Sequence, residues 1–89
     1  MSAKTPNERI IFGLKVKQLR LAQGKSFADL SRQTSMSVSY LNEIEKGKKF
    51  PKTDKVSILA ASLETTVEKL TDENLGGSLE PVERLLQSN

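Results

Sequence analysis

The sequence contains no cysteine and no histidine. Without cysteine no disulfide can form, and without both residue types the usual zinc ligand sets are missing. Catalysis by a thiol or an imidazole is excluded for the same reason. We therefore expect no metal, no cofactor and no enzymatic activity, and the simplest setting for such a chain is the reducing cytoplasm.

Long hydrophobic runs are also absent. No segment approaches the roughly 20 apolar residues that a membrane span needs, and the opening MSAKTPNER lacks the apolar centre of a signal peptide. There is no glycine-rich phosphate loop and no alternating pattern long enough for a strand. A chain of 89 residues forms one domain at most. We therefore expect one modest core, no membrane association and no small-molecule ligand.

The segment from Ser26 to Gly47 is the most informative part of the chain. Ser26 and Asp29 form a capping-box pattern at the start of one short helix, and Ser37 can cap a second. Gly47 favours the left-handed backbone that ends many helices. Helices of about eight residues are not stable alone in water, so this pair must pack on a larger body.

Three more helices are predicted around this pair. An apolar stripe indicates the first over residues 8–23. Thr53 is expected to cap the fourth, and Thr65 with Glu68 forms a second capping-box pattern for a short fifth helix. These patterns predict an all-α fold.

Charge is distributed unevenly along the chain. The net charge is only +3, but residues 1–52 contain eleven Lys/Arg against four Asp/Glu, whereas residues 53–89 contain three against seven. The basic part is the part that contains the helix pair. This uneven distribution of charge is expected of a domain that has one side facing phosphates. A run of charges alone is also compatible with an ordinary solvated surface.

These residues together resemble the phage repressor and Cro-type (Xre-like) helix-turn-helix family over about residues 10–70. The matching motifs are Val16-Lys17-Gln18-Leu19-Arg20, Leu30-Ser31, Ser35-Met36-Ser37, Ser39-Tyr40-Leu41, Ile44-Glu45-Lys46-Gly47, Pro51, Leu59-Ala60 and Val67-Glu68-Lys69-Leu70. The resemblance implies a compact five-helix bundle of the lambda-repressor-like type, whose third helix enters the major groove of double-stranded DNA. It also implies a transcriptional regulator that binds an inverted-repeat operator as a homodimer.

The resemblance assigns roles to individual side chains. Arg20 and Glu45 are expected to form a structural ion pair between the first and third helices. The residues expected at base edges are Val38, Ser39, Asn42 and Glu43. The residues expected at phosphates are Ser26, Tyr40, Lys46, Lys48 and Lys49. The sequence departs from the family at Phe27, where a glutamine commonly bonds the DNA backbone; we expect Phe27 to pack in the core instead.

The sequence also predicts domain boundaries and suggests what surrounds the domain. We expect the DNA-binding domain over residues 8–72, and a linker with a short C-terminal helical segment over residues 73–89. Val82, Leu85 and Leu86 are apolar with little left to cover them, which favours a dimer contact or the start of a further domain. We expect the sequence to be an excerpt of a longer regulator, and the alternative is a small, self-contained controller protein. A protein-interaction module, such as an antitoxin whose main partner is a protein, is the alternative to DNA binding.

Overall fold

Five α-helices follow one another in the computed structural model, which describes residues 4–73. They are α1 (Pro6–Ala22), α2 (Phe27–Thr34), α3 (Val38–Glu45), α4 (Thr53–Ser62) and α5 (Val67–Thr71). Within residues 4–73 there is no strand, so the predicted all-α fold is confirmed. None of these helices is both long enough and apolar enough to cross a membrane.

A single apolar core lies between the helices, and every helix contributes to it. The predicted apolar stripes supply its members, and Met36 adds a side chain from the turn between α2 and α3. The buried residues are Phe12, Val16, Leu30, Met36, Leu41, Ile44, Val56, Leu59, Ala60, Leu63 and Leu70. Burying that apolar surface supplies the stability that short helices lack on their own.

The first helix begins earlier than the predicted start at Glu8. Thr5 caps it: the Thr5 hydroxyl accepts a hydrogen bond from the backbone N–H of Glu8, and the Glu8 carboxylate accepts one from the backbone N–H of Thr5. Pro6 occupies the first helical position, where its missing N–H costs nothing. The apolar stripe starts only at Phe12, which is why the pattern alone placed the start too late.

The predicted caps of α2 and α3 are confirmed, but those of α4 and α5 are wrong by one residue. Thr53 is the first residue of α4, and the capping position belongs to Lys52, which makes no side-chain cap. At α5 the capping hydroxyl belongs to Thr66, which accepts from the backbone N–H of Lys69. At α5 two adjacent threonines offer the same hydroxyl, so the sequence alone does not select between them, and at α4 no side chain caps the helix.

Lys15 is a buried lysine that the sequence patterns did not predict. Its side chain is 1% exposed, and its ammonium donates to the carbonyl oxygens of Lys69 and Asp72, at 3.1 Å for Lys69. Burial lowers the pKa of Lys15, and the charge of Asp72 opposes that shift. The ammonium therefore supplies hydrogen bonds to carbonyl oxygens at the end of α5 that have no partner within the helix, and these bonds connect this short helix to α1.

The predicted C-terminal helical segment, with Val82, Leu85 and Leu86, lies outside the described residues. The boundary between the domain and residues 73–89 therefore stays a prediction.

Candidate nucleic-acid interface

The third helix is anchored from behind by two side chains. Leu41 and Ile44 are both fully buried in the core. Ser37 caps the helix by accepting a hydrogen bond from the backbone N–H of Tyr40 at 3.0 Å. With its apolar side fixed, α3 presents its first turns on the outside of the molecule.

A short turn of residues 35–37 sets the position of α3 relative to α2. Three hydrogen bonds hold it: Thr34 Oγ1 donates to the carbonyl of Leu30 and accepts from the N–H of Met36, and Ser31 Oγ donates to the carbonyl of Met36. Ser35 adopts a left-handed conformation with φ 60°. The turn therefore has a defined geometry, which is what separates this motif from two helices on a linker.

The backbones of α1 and α3 touch at Gly13. A β-carbon at this position would overlap the carbonyl oxygen of Ile44 and lie 2.8 Å from that of Glu45. No side chain can fit between the two helices here, so only glycine permits this approach. A glycine in the middle of an amphipathic helix was the available sequence signal for this contact.

Arg20 and Glu45 join the same two helices next to this contact. Arg20 Nε lies 2.6 Å from Glu45 Oε2 and Arg20 Nη2 lies 3.1 Å from Glu45 Oε1. The Arg20 side chain also donates to the carbonyl of Lys25 and lies 4.1 Å from the ring centroid of Phe27. Hydrogen bonding to Glu45 raises the pKa of Arg20, against the effect of burial. Phe27 packs against the core, as predicted, and its ring also lies against the Arg20 guanidinium.

The four side chains expected at base edges occur together on the outer side of α3. Val38 is 45% exposed. Ser39 is exposed, and Asn42 and Glu43 are half-buried. None of the four is enclosed beneath a neighbouring helix, so all are placed where a duplex could reach them.

The side chains expected at phosphates divide into two groups. Lys46, Lys48 and Lys49 are exposed after the end of α3, and Lys49 lies 3.3 Å from a carboxylate oxygen of Glu43. Ser26 is the cap residue immediately before α2, and its hydroxyl accepts from the backbone N–H of Asp29. The hydroxyl accepts in this cap and keeps its own O–H proton, which can still be donated to a phosphate; Ser26 therefore stays a predicted phosphate contact.

Tyr40 brings two lysines together at the edge of α3. Its half-buried ring has the Lys55 ammonium 4.8 Å and the Lys49 ammonium 5.8 Å from its centroid. Burial raises the pKa of Tyr40; Lys49 opposes this shift and Asp54 adds to it. Lys55, from the first turn of α4, was not predicted for this surface because nothing in its local sequence distinguishes it from a solvated lysine.

Two basic residues near the N-terminus also reach the loop after α3. Arg9 Nε donates to the carbonyl of Gly47 at 3.4 Å, and the Lys4 ammonium lies 4.9 Å from the ring centroid of Phe50. Both were missed because they precede the motif in sequence. Within residues 4–73 no three metal-ligating side chains come together.

A comparison with protein families decides the class of this fold. The sequence model described as "Helix-turn-helix domain" matches residues 11–73. The chain belongs to the helix-turn-helix family. Such domains are DNA-binding modules, and the match supports DNA binding and points to a regulator rather than an enzyme.

Two solved structures are similar to this helix-turn-helix domain. The clp gene regulator ClgR from Corynebacterium glutamicum has a TM-score of 0.70 and 22% identity, covering 90% of this chain and 86% of that chain. The hypothetical transcription factor NHTF from Neisseria has a TM-score of 0.70 and 19% identity, covering 98% of this chain and 93% of that chain. At these identities the likeness shows a shared fold. A search of curated proteins finds none that matches the chain.

Proposed function

We propose that this helix-turn-helix domain is a sequence-specific regulator of transcription that binds double-stranded DNA in the cytoplasm, with α3 in the major groove. The observation that supports this most is the placement of α3. Its inner side chains, Leu41 and Ile44, are fully buried, whereas Val38 and Ser39 at its first turn are exposed. A helix anchored in this way can enter a groove without disturbing the core.

The outer side chains of α3 supply the chemistry for direct readout. The Asn42 amide can make the paired donor and acceptor contacts that suit adenine, and Glu43 can accept from a cytosine amino group. Ser39 can donate or accept, and the exposed Val38 can contact a thymine methyl. We propose that these four side chains determine which bases are preferred.

Phosphate contacts come from the basic residues beside α3. Lys46, Lys48 and Lys49 follow the recognition helix, Tyr40 lies at its edge, and the amides at the start of α2 are also available for a phosphate. Such contacts fix the orientation of the protein on the duplex but do not read sequence. They also make binding strongly dependent on salt.

We propose that the domain binds as a homodimer. One recognition helix reads too few base pairs to identify a site among the many that a genome offers. Two copies on a twofold axis would read half-sites about 34–36 Å apart and would impose an inverted-repeat operator. Residues from Thr65 onward are our candidates for the contact. Light scattering at micromolar protein, alone and with DNA, tests this, and a monomer in both conditions would contradict it.

Selection of bound sequences from a random duplex pool tests the function itself. The expected result is an enriched inverted repeat whose half-site spacing matches one helical turn. The matched control is the double variant Ser39→Ala/Asn42→Ala, which keeps the basic residues but should lose the enrichment. Weak binding that is insensitive to salt and enriches no sequence would contradict DNA readout and favour a protein-interaction module.

A further inference from the structure

Glu43 and Lys49 face each other on the candidate DNA-binding surface. Glu43 Oε1 lies 3.3 Å from Lys49 Nζ, and the two side chains are 41% and 54% exposed. A carboxylate is unfavourable on a surface that approaches phosphates, because it repels them. The lysine that it neutralises is one of those proposed to contact the DNA backbone.

The local backbone keeps these two residues close. The N–H of Lys48 donates to the carbonyl of Glu43 at 3.0 Å, so the residue before Lys49 is tied to the Glu43 peptide. Gly47 makes this turn possible with φ 77°. The Lys49 ammonium lies near the ring of Tyr40 as well. Lys49 therefore lies beside α3 while its side chain stays 54% exposed to solvent.

The other two lysines of this loop differ from Lys49. Lys46 and Lys48 are exposed, and no acidic side chain within residues 4–73 forms an ion pair with either. They can contact a phosphate without first losing a partner. Lys49 must exchange the Glu43 carboxylate for a phosphate, and Glu43 then needs a new hydrogen-bond donor.

We propose that Glu43 determines specificity by controlling Lys49: it keeps Lys49 paired on non-cognate DNA and releases it to a phosphate where a base offers Glu43 a donor. This inference rests on the proposed DNA-binding function. A cytosine amino group in the major groove is a donor of the required kind. A correct base then strengthens binding in two ways: it makes a hydrogen bond to Glu43, and it allows Lys49 to contact a phosphate. On other sequences both are lost together.

The salt dependence of binding to a single non-cognate duplex tests this inference. The proteins are wild type, Glu43→Gln, Lys49→Met and the double variant. The salt slope is the slope of the logarithm of the binding constant against the logarithm of the salt concentration. In the wild-type background Lys49→Met should leave this slope unchanged, because Lys49 makes no phosphate contact on non-cognate DNA. In the Glu43→Gln background the same change should reduce the slope by about 0.9. Glu43→Gln alone should strengthen non-cognate binding by about two- to fivefold, the range expected on breaking an exposed ion pair.

Two control variants separate this effect from simple charge removal. Asp54→Asn removes another surface carboxylate near Tyr40 and should leave the response to Lys49→Met unchanged. Lys48→Met should reduce the slope by about 0.9 whether or not Glu43 is present. Thermal midpoints close to that of the wild type would show that the variants are folded, as expected for exposed positions.

The inference would be overturned if Lys49→Met changed the salt slope equally in the wild-type and Glu43→Gln backgrounds. So would a response to Lys49→Met in the Asp54→Asn background that matches the response in the Glu43→Gln background. A wild-type protein that binds no duplex at any salt concentration would be a different result, because it would overturn the DNA-binding function and this inference with it.

Discussion

Arg20 and Glu45 form a two-pronged ion pair between α1 and the end of α3, with side chains that are only 9% and 5% exposed. The planar guanidinium matches the carboxylate with two parallel hydrogen bonds, the strongest arrangement for such a pair. The pair holds the end of α3 against α1. Its contribution is to position α3, and we do not expect Arg20 itself to contact DNA.

Arg20→Met should lower the free energy of unfolding by about 3–5 kcal/mol, because it leaves the buried carboxylate of Glu45 without a partner. Thermal or urea unfolding measures this. Arg32→Met is the matched control: Arg32 pairs with Asp29 on the surface, so its loss should cost less than about 1 kcal/mol. The double variant Arg20→Met/Glu45→Leu should recover part of the loss. Unchanged stability together with lost DNA binding would instead identify Arg20 as a phosphate contact.

Gly13→Ala should lower the free energy of unfolding by about 1–3 kcal/mol, because the new methyl group must force α1 and α3 apart. An alanine normally strengthens a helix, so destabilisation has the opposite sign to the change in helix propensity. Ala28→Gly, at an exposed position in the first turn of α2, provides a comparison without a packing change and should cost no more than about 1 kcal/mol, the cost of glycine in a helix interior. A Gly13→Ala variant more stable than the wild type in urea unfolding would show that the helices are not in contact.

Acidification should remove part of the stability through the two capping boxes. Hydrogen bonds from the backbone N–H of Thr5 and of Ser26 lower the pKa of Glu8 and of Asp29. A carboxylate whose folded pKa is lowered stabilises the protein above its unfolded pKa, ordinarily 4.5 for Glu8 and 3.8 for Asp29, and that stability is lost as the pH falls through the folded value.

The thermal midpoint measured from pH 6 to pH 2 is expected to fall less steeply in the Glu8→Gln/Asp29→Asn double variant than in the wild type. Glu68→Gln, in the first turn of α5, serves as the control and should follow the wild-type curve more closely. Parallel curves for all three proteins would show that the capping carboxylates do not contribute to acid sensitivity.

Lys15→Met should loosen α5 selectively. The methionine keeps most of the buried volume but leaves the carbonyl oxygens of Lys69 and Asp72 without the ammonium that binds them. Amide hydrogen exchange of Leu70 should therefore accelerate more than that of Leu41 in α3. Lys69→Met, at an exposed position on the same helix, should leave both rates nearly unchanged. Equal acceleration throughout the domain would show that Lys15 acts on global stability alone.

Two single substitutions should separate base readout from phosphate contact. Asn42→Ala is expected to weaken binding to the selected operator by about 1–3 kcal/mol and to relax the preference at one base position. Lys48→Met should weaken binding to all sequences and reduce the salt slope by about 0.9. Binding titrations of both variants on operator and non-cognate duplexes check this. A loss of sequence preference with Lys48→Met would reverse the two assignments.

The helices could be predicted because their signals are local. The stripe of Phe12 and Val16 and the capping pattern of Ser26 each follow from a few neighbouring residues, and packing then selects those helices. The start of α1 was placed too late because Thr5 and Pro6 precede the stripe. Thr65 and Thr66 are chemically equal as caps, so only the packed structure distinguishes them.

The positions of the charged side chains were harder to predict than the apolar core because they depend on contacts between distant segments. Lys15 has the same local appearance as the exposed Lys17, and only the return of α5 shows that its ammonium is buried. Lys55, in the first turn of α4, reaches the ring of Tyr40 in α3 although the two residues belong to different helices. Arg9 and Gly47 are 38 positions apart in sequence. No spacing rule within one helix could have brought these groups together.

The meeting of the α1 and α3 backbones at Gly13 has a mechanical consequence. Where side chains separate two helices, rotamer changes let them slide or tilt, but main-chain atoms in contact offer no such compliance. The angle at which α3 leaves the scaffold is therefore fixed, and it would be the same in both copies of the proposed homodimer. When a half-site is imperfectly spaced or twisted, the elastic adjustment must come from the duplex. Stiff and flexible base steps outside the protein contacts should then affect the strength of a site.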